Sequence, residues 1–236
     1  MEDLLYIQHP YDKEFDATVV NIIDGKKIVL DRTLFYPEGG GQPFDTGTLE
    51  CDGKKFAVVA VKKREGKAVH EVDAEGLHTG DYVHGSIDWE RRYKFMRMHT
   101  ASHLLSILIH NETGAEITGN QLGLDKSRVD FSLEQFDRNF MSSFEEKANA
   151  IIAQHVPVRS DVMPREEAMQ IPDIFRLRKA FPDHIQQLRI VTIDGLDQQA
   201  CGGTHLQDLS EIGSIKILDL ENKGKERRRM YFTIDP

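Results

Sequence analysis

The sequence predicts an α+β protein in two parts, a small β barrel packed on an α+β domain with an antiparallel sheet and long helices. Three observations carry this. Short apolar stretches divided by glycine turns fill the first part of the chain, helical periodicity takes over at Asp88, and strand-like segments return towards the C-terminus. Strands and helices are therefore segregated rather than alternating. The boundary falls between residues 87 and 88, giving domains 1–87 and 88–236.

In the first domain the apolar stretches are Ala17–Ile23, Lys27–Leu30, Gly47–Glu50, Lys55–Val61 and Ala68–Val72. Asp24-Gly25, Asp52-Gly53, Glu65-Gly66 and Thr79-Gly80 punctuate them, the glycines supplying the positive φ that tight hairpins need. Short strands at this spacing indicate a small barrel or a sandwich, and of the two a barrel is expected. Asp88 is placed to cap a helix, with Glu90 in its first turn. Phe95, Met98, Leu105, Leu108 and Ile109 extend helical spacing over Trp89–Asn111, and Gly114 stops it. A second helix is expected from Ser132, which has capping-box spacing to Gln135, through Phe136, Phe140, Phe144 and Ala148 to about Gln154. A short helix is expected to start at Pro164. Leu188–Ile193, Ser214–Leu220 and Met230–Ile234 read as strands.

Hydrophobic content of 39% and charged content of 29% describe an ordinary globular chain. No apolar run approaches the ~18–20 residues that span a bilayer, so no membrane partner is expected. Met1-Glu2-Asp3-Leu4 carries no basic region leading into an apolar stretch, and two cysteines make no disulfide framework, so a cytoplasmic setting is expected. The net charge of −9 counts against a broad electrostatic nucleic-acid surface. Two local basic runs stand against that balance: Arg91, Arg92, Lys94 and Arg97 before His99, and Lys223, Lys225, Arg227, Arg228 and Arg229 near the C-terminus. Either run alone also reads as a solvated face.

His99 and His103, in His-Thr-Ala-Ser-His, are four residues apart on the expected helix, one turn apart on one face and close enough to share a metal. Such a pair also arises as surface or packed histidines. Cys201-Gly202-Gly203-Thr204-His205 adds a thiolate and an imidazole in a glycine turn that lets both side chains converge. Thiolate with imidazole is a donor set for zinc. A metalloprotease motif would place glutamate directly after the first histidine, where this chain has Thr100. Cys201 with a histidine also reads as a nucleophile pair, and the second histidine pair favours metal. Four protein ligands describe a closed structural site as readily as a catalytic one with an open position.

The remaining informative segment is Leu30-Asp31-Arg32-Thr33-Leu34-Phe35-Tyr36-Pro37-Glu38-Gly39-Gly40-Gly41-Gln42-Pro43-Phe44-Asp45-Thr46-Gly47. Three successive glycines expose backbone N–H groups and permit close approach of a ligand. The segment lacks the ending of a P-loop and the spacing of a dinucleotide fingerprint. Alone, it also reads as a surface loop.

Taken in order, the strand with Thr33, the Gly-Gly-Gly-Gln-Pro loop, His-x-x-x-His and Cys-x-x-x-His resemble the editing domain of alanyl-tRNA synthetase and its freestanding AlaX relatives, in their medium-length form. The resemblance covers nearly the whole chain. It implies a β barrel followed by an α+β editing module, and a trans-acting hydrolase that deacylates seryl- and glycyl-tRNA mischarged on alanine tRNA. It also implies one zinc per chain on His99, His103, Cys201 and His205. Gly39, Gly40, Gly41 and Gln42 correspond to the family's glycine-rich loop, expected near the editing pocket. Thr33, Asn120 and Gln121 correspond to residues lining that pocket, although the synthetase domain carries a Gln-Lys-Gly-Ser-like run where this chain has Gly119-Asn120-Gln121-Leu122. Thr33 is the candidate partner for a serine hydroxyl. No side chain is assigned as catalyst, a water held at the zinc being the preferred reading. Arg91, Arg92, Lys94, Arg97, Lys223, Lys225, Arg227 and Arg228 would hold the tRNA acceptor arm. The alternative is a tRNA-binding module with a structural zinc and no catalysis.

Overall fold

A computed structural model of the 236-residue chain describes residues 3–133, 138–175, 185–224 and 227–235. It divides into two compact units, Met1–Phe95 and Met96–Pro236.

The first unit contains β1 (Asp3–Leu4), α1 (Leu5–Gln8), β2 (Glu14–Ile23), β3 (Lys27–Leu30), β4 (Arg32–Thr33), β5 (Gly47–Cys51), β6 (Lys54–Arg64), β7 (Lys67–Val72) and β8 (Tyr82–Ile87). Six of these strands close into a barrel in the order β2-β3-β7-β6-β5-β8, with β8 pairing back onto β2. Short β1 and β4 form a separate parallel pair. At Asp52-Gly53 and Glu65-Gly66 both residues have positive φ, the signature of the two-residue type I′ hairpin turn, and Asp24-Gly25 shares the positive φ within a three-residue connection from Ile23 to Lys27. Inward residues such as Phe15, Val19, Ile28, Leu30, Leu49, Val58, Val61 and Val83 form one apolar core.

Two clusters of buried polar groups in this unit have well-defined partners. His70, on β7, sits wholly inside the barrel unit, edge-on to the Phe35 ring. Its Nδ1 lies 3.0 Å from the Ile28 carbonyl, which can only accept, so Nδ1 carries the hydrogen and Nε2 is the acceptor. The Thr33 hydroxyl, 2.8 Å from Nε2, therefore donates to it, while its oxygen accepts the Phe35 N–H at 3.0 Å. Loss of hydration holds the imidazole neutral, its pKa pushed down to about 4. The second group is the ion pair of Arg92 and Asp45, both wholly buried. Arg92 Nε donates to both Asp45 oxygens at 3.2 and 3.0 Å, and its other nitrogens bond Pro10 O, Leu34 O and Asp45. Asp45 also accepts the Tyr36 N–H at 2.7 Å.

Helix α2 (Trp89–Thr113) begins in the first unit. Asp88 caps it, accepting the Arg91 N–H at 3.1 Å, and Gly114 ends it at φ 70°. Sequence placed the boundary at Asp88; the structure places it seven residues into the helix, because Arg92 is locked to Asp45 and the rings of Trp89 and Phe95 pack with barrel-unit residues. From Met96 the helix is buried almost all round, including Met96, Met98, Ala101, Leu104, Leu105, Ile107 and Ile109, and not on a single stripe.

The second unit continues with β9 (Ile117–Gln121), β10 (Ser127–Phe131), α3 (Arg138–Ile152), β11 (Val158–Pro164), α4 (Arg165–Ala168), β12 (Gln187–Ile193), β13 (Asp197–Ala200), a 3₁₀ turn (Leu209–Ile212), β14 (Ser214–Asn222) and β15 (Arg228–Asp235). One antiparallel sheet has the order β14-β15-β10-β9, and a second the order β11-β12-β13. In α3, Phe144 and Ala148 are buried as the spacing predicts, but Phe140 is exposed and leans on the Phe144 ring. Gln135 and Phe136 lie outside the described residues. No described helix is long and apolar enough to cross a membrane.

Two predictions follow from the buried polar groups. Arg92→Met leaves the Asp45 carboxylate buried without its cation and is expected to cost about 3–5 kcal/mol in urea unfolding. Adding Asp45→Leu should restore most of that loss. The His70 imidazole takes up a proton in the unfolded chain near pH 6.5 but in the fold only near pH 4. Stability from this group is thus full above pH 6.5 and falls by roughly 3 kcal/mol as pH drops to about 4. The stability profile of His70→Asn should be flatter over that window by about this amount, as read by urea titrations at several pH values.

Candidate metal centre

Four side chains from two segments of the second unit converge. Helix α2 supplies His99 and His103, whose i,i+4 spacing stacks them on one face with ring centroids 5.1 Å apart. The turn after β13 supplies Cys201 and His205. His205 lies 4.3 Å from the His99 ring and 4.6 Å from the His103 ring, centroid to centroid. Cys201 Sγ is 3.6 Å from His99 Nε2 and 3.3 Å from His205 Nε2. One donor atom from each of the four residues lies within 4.8 Å of all the others. A tetrahedron with bonds of about 2.0–2.3 Å has edges of roughly 3.3–3.8 Å, so the set is close to the size a zinc ion requires.

The three imidazoles are buried and Cys201 is half-buried. Burial, reinforced by neighbouring positive charge, pushes His99 and His205 well below the usual histidine range. Both are therefore neutral and have a lone pair to offer. Burial pushes the Cys201 thiol up, against the opposing pull of a Gly203 backbone hydrogen bond and the Arg189 charge.

Backbone pairing and one cation hold the turn. β12 pairs with β13 in the register Ile190 to Ala200, and the Cys201 N–H donates to Arg189 O at 3.0 Å. Arg189, itself buried, turns its guanidinium back to donate to Cys201 O at 3.1 Å and Gly203 O at 2.6 Å. Neither Gly202 nor Gly203 has positive φ, so the turn does not rest on left-handed glycine backbone. A Cβ at exposed Gly202 would meet nothing within 4 Å, which leaves space beside Cys201.

The other predicted residues fall in varied settings. Gly39 and Gln42 exchange backbone hydrogen bonds of 3.1 and 2.9 Å around Gly40 and Gly41, at φ 57° and 83°. The glycine-rich segment is thus a closed two-residue turn with an exposed tip, not an open loop. Gln42 is fully buried. Thr33 is likewise fully buried, its hydrogen donated to His70 and its oxygen accepting the Phe35 N–H. Asn120 is half-buried on β9, and exposed Gln121 accepts the Arg128 Nε–H at 3.1 Å.

Two of the tRNA-contact expectations are corrected. Arg92 is wholly buried on Asp45, and Arg228 is buried with Nη1 donating to Asn222 Oδ1, Gly224 O and Arg227 O, where it closes the β14–β15 turn. Arg97 is spent on the carbonyls of Ile212 and Asp235, and Arg91 on Phe44 O and the faces of Phe44 and Phe95. Lys94 is half-buried, Arg227 is exposed, and Lys223 is exposed in a 2.6 Å pair with Glu221. Lys225 lies outside the described residues. Sequence reasoning missed Arg189, although a lone cation inside the apolar strand Leu188–Ile193 was the available signal.

Comparison with known proteins decides the family. Residues 5–91 match the model for class II (A) tRNA synthetases, and residues 188–231 match the second additional domain of threonyl- and alanyl-tRNA synthetases. The alanyl-tRNA editing protein AlaX-M of Methanosarcina barkeri is 52% identical over 241 residues, covering 99% of each chain. The chain belongs to the AlaX-M family of alanyl-tRNA editing proteins. The family member of Saccharolobus solfataricus is 42% identical over 239 residues, end to end in both. The alanine–tRNA ligase of Pyrococcus furiosus is 40% identical over 232 residues, which is 97% of this chain but 25% of the ligase. The match thus occupies about a quarter of that longer enzyme.

Arg189→Met is expected to loosen the Cys201–Gly203 turn while sparing the fold elsewhere. Metal retention under chelator competition should fall by about 10–100-fold, with circular dichroism unchanged.

Proposed function

We propose that this protein is a trans-acting deacylase of mischarged alanine tRNA, releasing serine and also glycine, at a single zinc site formed by His99, His103, Cys201 and His205. One observation carries the reading: four donors converge within 4.8 Å in a chain that matches an alanyl-tRNA editing protein from end to end.

The chemistry fits the substrate. An amino acid joined to the terminal ribose of tRNA is an activated ester, so carbonyl polarisation and a placed water are enough to cleave it. A zinc ion on these four residues supplies Lewis acidity towards the carbonyl, or an anchor for the amino group or hydroxyl. His99 and His103 fix two donors rigidly on one helix, and the turn brings the other two. The space beside Gly202, next to half-buried Cys201, suits entry of a small aminoacyl group. Serine and alanine differ by one hydroxyl, which a synthetic site of fixed size excludes poorly, so a separate hydrolytic site raises fidelity. With Thr33 committed to His70, Asn120 and Gln121 are the polar candidates for recognising that hydroxyl, with Gly39, Gly40 and Gly41 offering backbone to the substrate. Lys94, Lys223 and Arg227 are the basic side chains proposed to meet the acceptor arm.

A second reading is favoured by the ligand count. Four protein ligands close a tetrahedron as structural zinc sites do, and that reading makes the protein a tRNA-binding module without catalysis.

The deciding experiment measures deacylation of seryl-, glycyl- and alanyl-tRNA alongside metal content. Wild type should carry about one zinc per chain and release serine and glycine in preference to alanine. His103→Ala should lose metal and at least about 100-fold in rate while still folding. Intact seryl-tRNA at micromolar zinc-loaded enzyme would exclude the deacylase, and a Cys201→Ala protein that melts early would favour the structural zinc.

A further inference from the structure

His205 has two ring edges with different surroundings. Nε2 points at Cys201 Sγ, 3.3 Å away, and Nδ1 lies 3.2 Å from Thr100 Oγ1. Thr100 has no exposed surface and His205 almost none, so neither contact is shared with bulk water. The same Thr100 oxygen accepts the Leu206 N–H at 3.1 Å, which pins the backbone directly after His205 to helix α2.

We infer that Thr100 is a positioning residue for this site, setting the ring orientation of His205 and keeping its hydrogen on Nδ1 so that Nε2 offers a lone pair. The inference rests on the metal reading above and goes beyond its four ligands.

A neutral imidazole carries one ring hydrogen, and the nitrogen that donates it leaves the other as ligand. Among the described residues Nδ1 faces the Thr100 oxygen, so an Nδ1–H donated there aims the Nε2 lone pair at the side on which Cys201 and His99 converge. Hydrogen-bond partners of this kind are a general means of fixing a ligating histidine. The two ends of the turn are held by different groups. Arg189 holds the Cys201 end through two carbonyls, and Thr100 holds the His205 end through one ring nitrogen and one backbone N–H. A hydroxyl suits the second task because it accepts from both groups without bringing a charge into the buried cluster. A carboxylate at position 100 would add a negative charge to that buried cluster. Valine has the same shape but strands a buried Leu206 N–H and a buried ring nitrogen.

The test compares wild type, Thr100→Val and Thr100→Ser by zinc affinity under chelator competition and by long-range ¹H–¹⁵N spectra of histidine-labelled, zinc-loaded protein. In wild type His205 should carry its hydrogen on Nδ1, with Nε2 shifted to the metal-bound range. Thr100→Val should bind zinc about 10–100-fold more weakly and lose the slowly exchanging Nδ1–H signal, and Thr100→Ser should return both to near wild type. Wild-type affinity and an unchanged Nδ1–H in the valine protein overturn the inference, as does a serine protein as weak as the valine one. Should the valine protein not fold, the wild-type spectrum decides: a hydrogen on Nε2 in the loaded protein overturns it. A wild type that takes up no zinc at all brings down the metal reading itself, and the inference with it.

Discussion

The second unit is organised around the docking of the 201–206 turn onto helix α2. Three imidazoles and a thiol cannot be buried singly without losing hydration that nothing replaces. Brought together, they partner one another and present one donor set. The β12–β13 hairpin fixes where Cys201 emerges, because a one-residue slip in its register would turn Arg189 away from the carbonyls it binds. The helix supplies the counterpart rigidly, since residues four apart cannot drift from a shared face. Geometry at the cluster is thus inherited from a ladder of backbone hydrogen bonds on one side and a helical repeat on the other.

Much of this was legible from residue types alone. The Asp-Gly and Glu-Gly turns marked three hairpins because only a few residues tolerate two successive positive φ values. The ligand pairs were visible because their chemistry is rare in a chain with two cysteines. Among the described residues β1, β8, β9, β10, β11 and β13 were not foreseen, and four of these escaped for a physical reason. β8 contains Gly85, which reads as a turn residue, yet it is there because the Phe15 ring fills the space of a Cβ, 2.3 Å from the nearest ring atom. β11 is mostly exposed and lacks an apolar alternation. β9 has a single buried residue, and β10 is five residues long with Arg128 and Asp130 paired on its outer face.

The basic runs show where charge counting stops being informative. Arg92 lies among surface-like neighbours in sequence, but its carboxylate is 47 positions away, so nothing local reveals that it is interior. Arg228 likewise satisfies carbonyls of its own hairpin. A guanidinium has five donors in a planar fork, and folded chains use it to gather carbonyls as readily as to meet phosphates. Thr100 escaped notice for the opposite reason: it drew attention only as the place where a protease would carry glutamate. Its role depends on His205, 105 positions further on.

The Arg92–Asp45 pair also determines where this protein can be cut. A fragment ending at residue 87 would contain every strand of the barrel and every apolar residue between them, and by hydrophobic pattern alone it would qualify as an independent domain. It would nonetheless enclose a carboxylate whose cation had been removed, together with Pro10 and Leu34 carbonyls that had lost the Arg92 donor. The smallest excisable piece must therefore run past the first turn of α2, which makes the opening of that helix part of the barrel's own covalent requirement.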